Sequence, residues 1–224
     1  MKWEEKVRRV VPYTPGEQPK KAGIIKLNTN ENPYPPAPGV AKAAAALNAE
    51  KFRLYPEFPE QTALAKALAA RYHIGTDQLF IGVGSDDVLS MAFLTFFHSE
   101  KPVFFPDITY SFYDVWANVY RIPYERKALD ADFRICPADY KEPNGGVVFP
   151  NPNAPTGVRL PLDKVEEIVA ANRDVVVIVD EAYIDFGGTS ALPLIDKYDN
   201  LLVVQTFSKS RSMAGMRIGY AMGQ

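Results

Sequence analysis

Cysteine and histidine are almost missing from this chain of 224 residues: Cys136, His73 and His98 are the whole supply. One cysteine excludes an intramolecular disulfide, and two histidines leave no metal-ligand cluster and no histidine-based triad to build. No metal site is expected, so catalysis by this chain would rest on an organic cofactor. An excess of positive charge is also absent, with 25 Lys and Arg against 27 Asp and Glu, a net charge of -2 and no basic block. Nucleic acid is therefore not expected as the main partner. No apolar run approaches the roughly 18 residues that span a bilayer, and Met1 to Val10 alternates charged with apolar residues without a signal-peptide core. The expected compartment is the cytoplasm, with no membrane partner. What the chain does have is 47% hydrophobic residues, enough for a substantial core in one or two globular domains.

Pro12, Pro15, Gly16, Pro19 and Gly23 break any periodicity in the first thirty residues, and Asn30 to Pro36 is turn-rich. Residues 1–32 accordingly read as an arm and junction, and 33–224 as the large domain. Val40 to Ala49 has strong helix propensity. Pro59 fits the first turn of a helix carrying Leu64, Leu68 and Tyr72 on one face and stopped by Gly75. Beyond it, short apolar runs alternate with amphipathic stretches. Strands are predicted at Leu79–Ile81, Pro102–Phe105, Arg121–Tyr124, Gly146–Phe149, Val175–Val179, Leu201–Thr206 and Arg217–Ala221, with helices after Ser85 and over Tyr110–Val119 and Leu162–Ala171. Val175–Val179 is apolar at every position, which suits a strand covered on both faces. The expected fold class is α/β, a three-layer α/β/α arrangement with a mostly parallel sheet, whose ligands sit at the carboxyl ends of the strands.

Three polar clusters follow predicted strands. Gly84-Ser85-Asp86 precedes a helix, where free N–H groups and the helix dipole favour an anion; taken alone it reads equally as a capped turn. Gly82-x-Gly84 lacks the third glycine of a dinucleotide fingerprint, and no Walker A motif occurs, so a nucleotide-binding domain explains the sheet but not the remaining clusters. Asp180 ends a run of five apolar residues, where a carboxylate is costly without a cation; a protonated pyridine nitrogen would serve. Tyr183 lies within reach of a phenolic oxygen on the same ring, while Glu181 reads as structural or exposed. Lys209 is set among Thr206, Ser208 and Ser210 with Arg217 following, an amine beside hydroxyl and guanidinium donors for a phosphate. An amine to hold an aldehyde as a Schiff base, an acid for the pyridine nitrogen and donors for the phosphate are what pyridoxal 5'-phosphate requires. Tyr110 and Phe112 are aromatic candidates for the cofactor's face.

Leu27-Asn28-Thr29-Asn30-Glu31-Asn32-Pro33, Arg53-Leu54-Tyr55-Pro56, Asp180-Glu181-Ala182-Tyr183, Ser208-Lys209 and Ala214-Gly215-Met216-Arg217-Ile218-Gly219 together resemble the fold-type I pyridoxal-phosphate aminotransferases, and within them the histidinol-phosphate aminotransferases. The resemblance implies the large domain of a PLP-dependent transferase. It implies exchange of an amino group between L-histidinol phosphate and 2-oxoglutarate in histidine biosynthesis, giving imidazole acetol phosphate and L-glutamate. Threonine-phosphate decarboxylases and aromatic aminotransferases share the cofactor residues and stand as alternatives. Lys209 is implied as the Schiff-base lysine and proton carrier, Asp180 as partner of the pyridine nitrogen, Tyr183 of the ring hydroxyl, and Tyr110 as the stacking ring. Gly84, Ser85, Asp86, Thr206, Ser208 and Arg217 would form the phosphate cup. Tyr55 would reach the neighbouring subunit's site in a homodimer, and Tyr13 and Asn30 are candidates for the substrate side.

Two departures bear on these expectations. The family's Asn-Pro-Thr-Gly is replaced by Asn151-Pro152-Asn153-Ala154-Pro155-Thr156-Gly157, with Ala154 at the asparagine's place. Either Asn153 turns in to contact the ring oxygen, the favoured expectation, or Tyr183 holds that oxygen alone. The sequence also stops at Gln224, soon after the strand that follows Lys209, whereas family members continue through a long helix and a small domain bearing the arginine for the substrate carboxylate. A cofactor-binding unit without turnover is therefore a further alternative.

Overall fold

The computed structural model describes residues 2–14, 16, 17, 21, 23–55 and 57–224; Pro15, Pro19 and Pro56, which entered the sequence reading, lie outside them. Seven strands form one sheet: β1 (Leu79–Gly82), β2 (Val103–Pro106), β3 (Tyr124–Lys127), β4 (Gly146–Pro150), β5 (Val177–Asp180), β6 (Leu201–Thr206) and β7 (Gly219–Met222). Their order is β1-β7-β6-β5-β4-β2-β3. The pairs β2–β3, β2–β4, β4–β5 and β5–β6 are parallel, and β7 runs antiparallel between β6 and β1. The carboxyl ends of β1, β4, β5 and β6 therefore share one edge, as the sequence reading expects.

Alternate residues of each strand feed two separate core layers. Val147, Phe149, Val177, Val179, Leu201 and Val203 face one side with Val165, Ile168 and Val169 of α5 (Leu162–Ala171). Val148, Ile178 and Val204 face the other with Val88, Leu89 and Phe93 of α3 (Ser85–Phe96) and Tyr113, Trp116 and Ala117 of α4 (Phe112–Tyr120). Both faces of the central strands are thus covered, which is why residues 147–149, 177–179 and 201–204 are apolar at every position. Edge strand β3 instead exposes both Glu125 and Arg126, charges that blunt an open sheet edge.

Several element boundaries differ from expectation for local reasons. Pro59 opens a separate 3-10 turn (Pro59–Gln61), and α2 (Ala63–Tyr72) begins at Thr62, whose Oγ1 accepts the Ala65 N–H at 3.2 Å. His73 ends α2 in a left-handed conformation (φ 58°), two residues before Gly75. Arg121 does the same for α4 (φ 59°), and Pro123 follows, so β3 starts at Tyr124 rather than Arg121. The helix α1 spans Pro38–Ala45, ending before Ala49, and buries none of its residues. Arg217 is left-handed (φ 53°), so β7 starts at Gly219. Among the described residues no helix is long and apolar enough to cross a membrane.

Candidate active site at the carboxyl edge of the sheet

The polar clusters converge on a cavity of about 250 Å³ at this edge, lined by Ser85, Asp86, Tyr110, Asp180, Tyr183, Thr206, Ser208, Lys209 and Arg217, with Thr29 and Glu31 from the junction. Gly84 and Gly219 set the depth of its floor. A Cβ on Gly219 would lie 2.2 Å from the Ser85 nitrogen, and one on Gly84, at φ +88°, would lie 2.4 Å from Arg217 Nη2. Only glycine permits the start of β7 to pass this close to the start of α3. The contact brings Arg217 against the N-terminus of α3, which no side chain caps.

Asp86 joins two of the expected cofactor residues. Its Oδ1 accepts from the Tyr110 hydroxyl at 2.8 Å and its Oδ2 from Arg217 Nη2 at 3.2 Å. The carboxylate thus orients a ring and a guanidinium, and the donors it leaves for an anion at this corner are the Arg217 side chain and the first N–H groups of α3. Opposite, Thr206 Oγ1 accepts the Ser208 N–H at 3.1 Å and fixes the start of the Lys209 turn.

Asp180 emerges at the end of β5 and is 4% exposed. The Tyr113 hydroxyl donates to Oδ2 at 2.8 Å and the Ala182 N–H to Oδ1 at 3.1 Å. Burial pushes its carboxyl up to about 6, against the pull of these two hydrogen bonds. Two neutral donors leave this carboxylate short of a cation. Tyr113 was not singled out in the sequence; its three-residue spacing from Tyr110 was the available signal, and flanking aromatics made it indistinguishable from packing.

Lys209 Nζ lies 5.6 Å from the centre of the Tyr183 ring and donates to the Thr29 carbonyl at 3.1 Å. Asn30 Nδ2 donates to the Tyr183 hydroxyl at 2.8 Å, and Asn32 Nδ2 to the carbonyls of Lys209 and Ser210 at 3.1 and 3.3 Å. The junction is therefore docked on the lysine turn. Thr29 and Asn30 are both left-handed, which folds the segment over the cavity. Thr29 and Asn32 are not legible as site neighbours because their partners lie about 180 positions away, and neither is Glu31, whose ion pair is with the nearby Lys26.

Of the expected residues, Asn30, which reaches the cavity through its hydrogen bond to Tyr183, and Asn153, Tyr13 and Tyr55 are absent from the lining. Asn153 does not turn in: its Nδ2 donates to the Ile108 carbonyl (2.9 Å) and Thr156 Oγ1 (3.1 Å), and its Oδ1 accepts from Thr109 (3.0 Å). With its hydrogen bonds spent on two loops and 2% exposed, Asn153 is structural, and Ala154 presents the methyl that lines the cavity. Tyr13 stacks on Phe112 at 4.4 Å, outside the lining, and this occupies the Phe112 face. Tyr55 is fully exposed and contributes nothing to its own chain's cavity. Glu181 is not exposed but 1% so, and structural, accepting from Ser190 Oγ, the Ala191 N–H and Gln205 Nε2.

This combination of an uncapped helix N-terminus with an arginine, a cation-poor buried carboxylate and a lysine between them agrees with the comparisons. The family model described as aminotransferase class I and II matches residues 22–224. The chain belongs to the class I and II aminotransferases. Within that family it is 54% identical over 225 residues to histidinol-phosphate aminotransferase 2 of Dechloromonas aromatica, covering 99% of this chain and 63% of the relative. It is 53% identical to histidinol-phosphate aminotransferase of Lactococcus lactis subsp. cremoris, covering 100% and 62%. The chain thus spans less than two thirds of these curated aminotransferases. Among solved aminotransferases, a structure described as a putative histidinol-phosphate aminotransferase from Erwinia carotovora atroseptica superposes with a TM-score of 0.78 at 30% identity, over 88% of this chain and 60% of that one. The histidinol-phosphate aminotransferase of Sinorhizobium meliloti, solved in complex with pyridoxal-5'-phosphate, gives 0.77 at 26% identity, over 87% and 55%. The sheet with its flanking helices is the large-domain fold of these enzymes.

Proposed function

We propose that the chain is the pyridoxal-phosphate-binding part of a histidinol-phosphate aminotransferase, transferring an amino group between L-histidinol phosphate and 2-oxoglutarate. The observation that carries the reading is the buried Asp180, whose carboxyl is held up to about 6 with only neutral donors beside it and which opens onto the cavity that holds Lys209. A pyridine N–H⁺ is the partner this carboxylate needs, and its approach lowers the carboxyl pKa and favours the ionised form. The substrate assignment is supported by identities above 50% to the named relatives.

Asp180 would hold the ring nitrogen protonated while the Tyr113 hydroxyl orients the carboxylate. Tyr183, already bonded to Asn30, would donate to the ring oxygen without an asparagine opposite it, because Ala154 has no donor. Ser85, Thr206, Ser208, Arg217 and the N–H groups of α3 would take the phosphate; Tyr110 would cover the ring face. Lys209 would bind the aldehyde carbon and, once the substrate amine displaces it, accept at Nζ the proton leaving the substrate's α-carbon. When bound, pyridoxal phosphate supplies the electron sink that makes that carbon acidic. Asn30 remains the substrate-side residue, with Tyr13 behind Phe112. The working unit is a cytoplasmic homodimer with residues 1–32 as an arm, and Tyr55, projecting freely, serves the partner's site.

The test is a titration with pyridoxal phosphate followed by borohydride reduction and peptide mapping. The reading expects one adduct, on Lys209, abolished in Lys209→Ala; a stable adduct in that variant overturns it. Turnover of L-histidinol phosphate by the adduct-forming chain supports the full activity, whereas an adduct without turnover identifies a cofactor-binding unit only.

A further inference from the structure

Behind the lysine turn, in the core layer shared with α2 and β7, lies a polar chain with no role in the scheme above. Arg211, two residues past Lys209, points away from the cavity. Its Nη2 donates to the Tyr72 hydroxyl and its Nη1 to the Tyr220 hydroxyl, both at 2.9 Å, and Nη1 also reaches the Thr206 carbonyl at 3.3 Å. The guanidinium lies 4.8 Å from the centre of the Phe207 ring. Its carboxylate neighbour is Asp185, at 3.6 Å.

The two tyrosine hydroxyls are 2.6 Å apart, and each is 2.8 Å from Gln205 Oε1. Each hydroxyl already accepts a guanidinium N–H and has one proton to give. Each proton goes to Gln205 Oε1 or to the other hydroxyl, and in every arrangement Gln205 Oε1 faces the tyrosines as the acceptor. The amide of Gln205 is left with its nitrogen toward Glu181, and Nε2 donates to Glu181 Oε2 at 2.8 Å. Glu181 directly follows Asp180, and its backbone N–H bonds the Val204 carbonyl of β6 at 2.7 Å. The chain thus runs without a break from the turn bearing Lys209 to the residue beside Asp180. Gln205 and Glu181 are 3% and 1% exposed, so none of these partners can be exchanged for water without cost.

We propose that Arg211 is the positioning residue for Lys209: its forked guanidinium fastens the 206–213 turn to α2, β7 and, through Gln205 and Glu181, to the end of β5, fixing the spacing between the amine and Asp180. A planar, permanently charged fork can serve three acceptors spread over two tyrosines and a carbonyl; a lysine ammonium in the same place cannot match that geometry. The inference rests on the cofactor reading for its consequence, but not for its test.

The experiment compares the 224-residue chain with Arg211→Met and Arg211→Lys, first by amide hydrogen exchange without cofactor. Exchange in peptides covering 206–213 is expected to quicken about tenfold in Arg211→Met, the loss of about one charge-assisted hydrogen bond, with β4 and β5 unchanged. Arg211→Lys should recover less than half of that protection on a logarithmic scale. With pyridoxal phosphate, the visible band of the Lys209 adduct is then titrated against pH. A displaced midpoint and about tenfold weaker retention in Arg211→Met are expected. Unchanged exchange and an unmoved midpoint overturn the proposal, as does exchange quickened uniformly over the sheet with the midpoint unmoved, which is general destabilisation. If the parent chain forms no Lys209 adduct, the cofactor reading fails and the exchange comparison still decides the clamp. Should Arg211→Met not fold, Tyr72→Phe removes one link of the same chain and is expected to move both readouts in the same direction by a smaller factor; no movement there overturns the proposal.

Discussion

Asp180 is the residue at which burial and chemistry oppose each other most plainly. A carboxyl whose pKa is raised on folding, here from 3.8 to about 6, binds its proton more tightly folded than unfolded. Its contribution to stability is complete below about pH 3.8 and is lost as pH rises through about 6, by up to about 3 kcal/mol at 1.36 kcal/mol per unit. Glu181, pushed by burial from 4.5 up to about 7, acts in the same direction. The cofactor-free chain is therefore expected to lose stability between pH 4 and 7, as followed by urea denaturation, and Asp180→Asn should shallow that slope. The same variant should weaken cofactor retention, because an amide carries no negative charge to hold the ring nitrogen protonated. A slope unaltered by Asp180→Asn would show that Asp180 is ionised in the folded protein throughout this range.

At the scale of elements, the closest constraint is the passage of β7 beside the N-terminus of α3. Gly219→Ala puts a Cβ against the backbone of Gly84 and Ser85, so neither neighbour can rotate away. The expected result is a loss of about 1–3 kcal/mol of stability together with weakened binding of pyridoxal phosphate, since the phosphate corner is built from that contact. Thr62→Ala, which removes the cap of α2 and the hydroxyl's hydrogen bond to the Pro59 carbonyl, is the comparison: about 1 kcal/mol by thermal denaturation and no change in cofactor retention. Equal effects of the two substitutions on retention would argue that the glycine contact does not shape the phosphate corner.

For the whole molecule, the exposed apolar side chains of Leu47, Phe52, Leu54, Tyr55 and Phe58 form a segment with little to pack on within its own chain. The homodimer proposed above gives this segment a partner. Sedimentation of the cofactor-loaded chain, 24.9 kDa by sequence, is expected to give a dimer mass, and Tyr55→Phe to weaken cofactor retention by the equivalent of one hydrogen bond, about 1 kcal/mol. A monomer with full retention would remove Tyr55 from the site.

The sequence by itself determined the α/β class, the parallel strands and the residues on which the cofactor reading rests. Strand-end positions project onto one edge whatever the details of packing, so Asp180 after five apolar residues and Lys209 after β6 were legible. Tertiary structure alone decided which polar groups are spent on one another. Asn153 and Glu181 could not be assigned in advance because their partners, Ile108 and Thr109 in one case and Ser190 and Gln205 in the other, are set by loop geometry. The same holds for Tyr113 on Asp180, Asn32 on the lysine turn and Arg211 on Tyr72 and Tyr220. A local pattern fixes which way a side chain points. Whether its hydrogen bonds are free for a ligand depends on what the fold brings opposite it, often more than a hundred residues away.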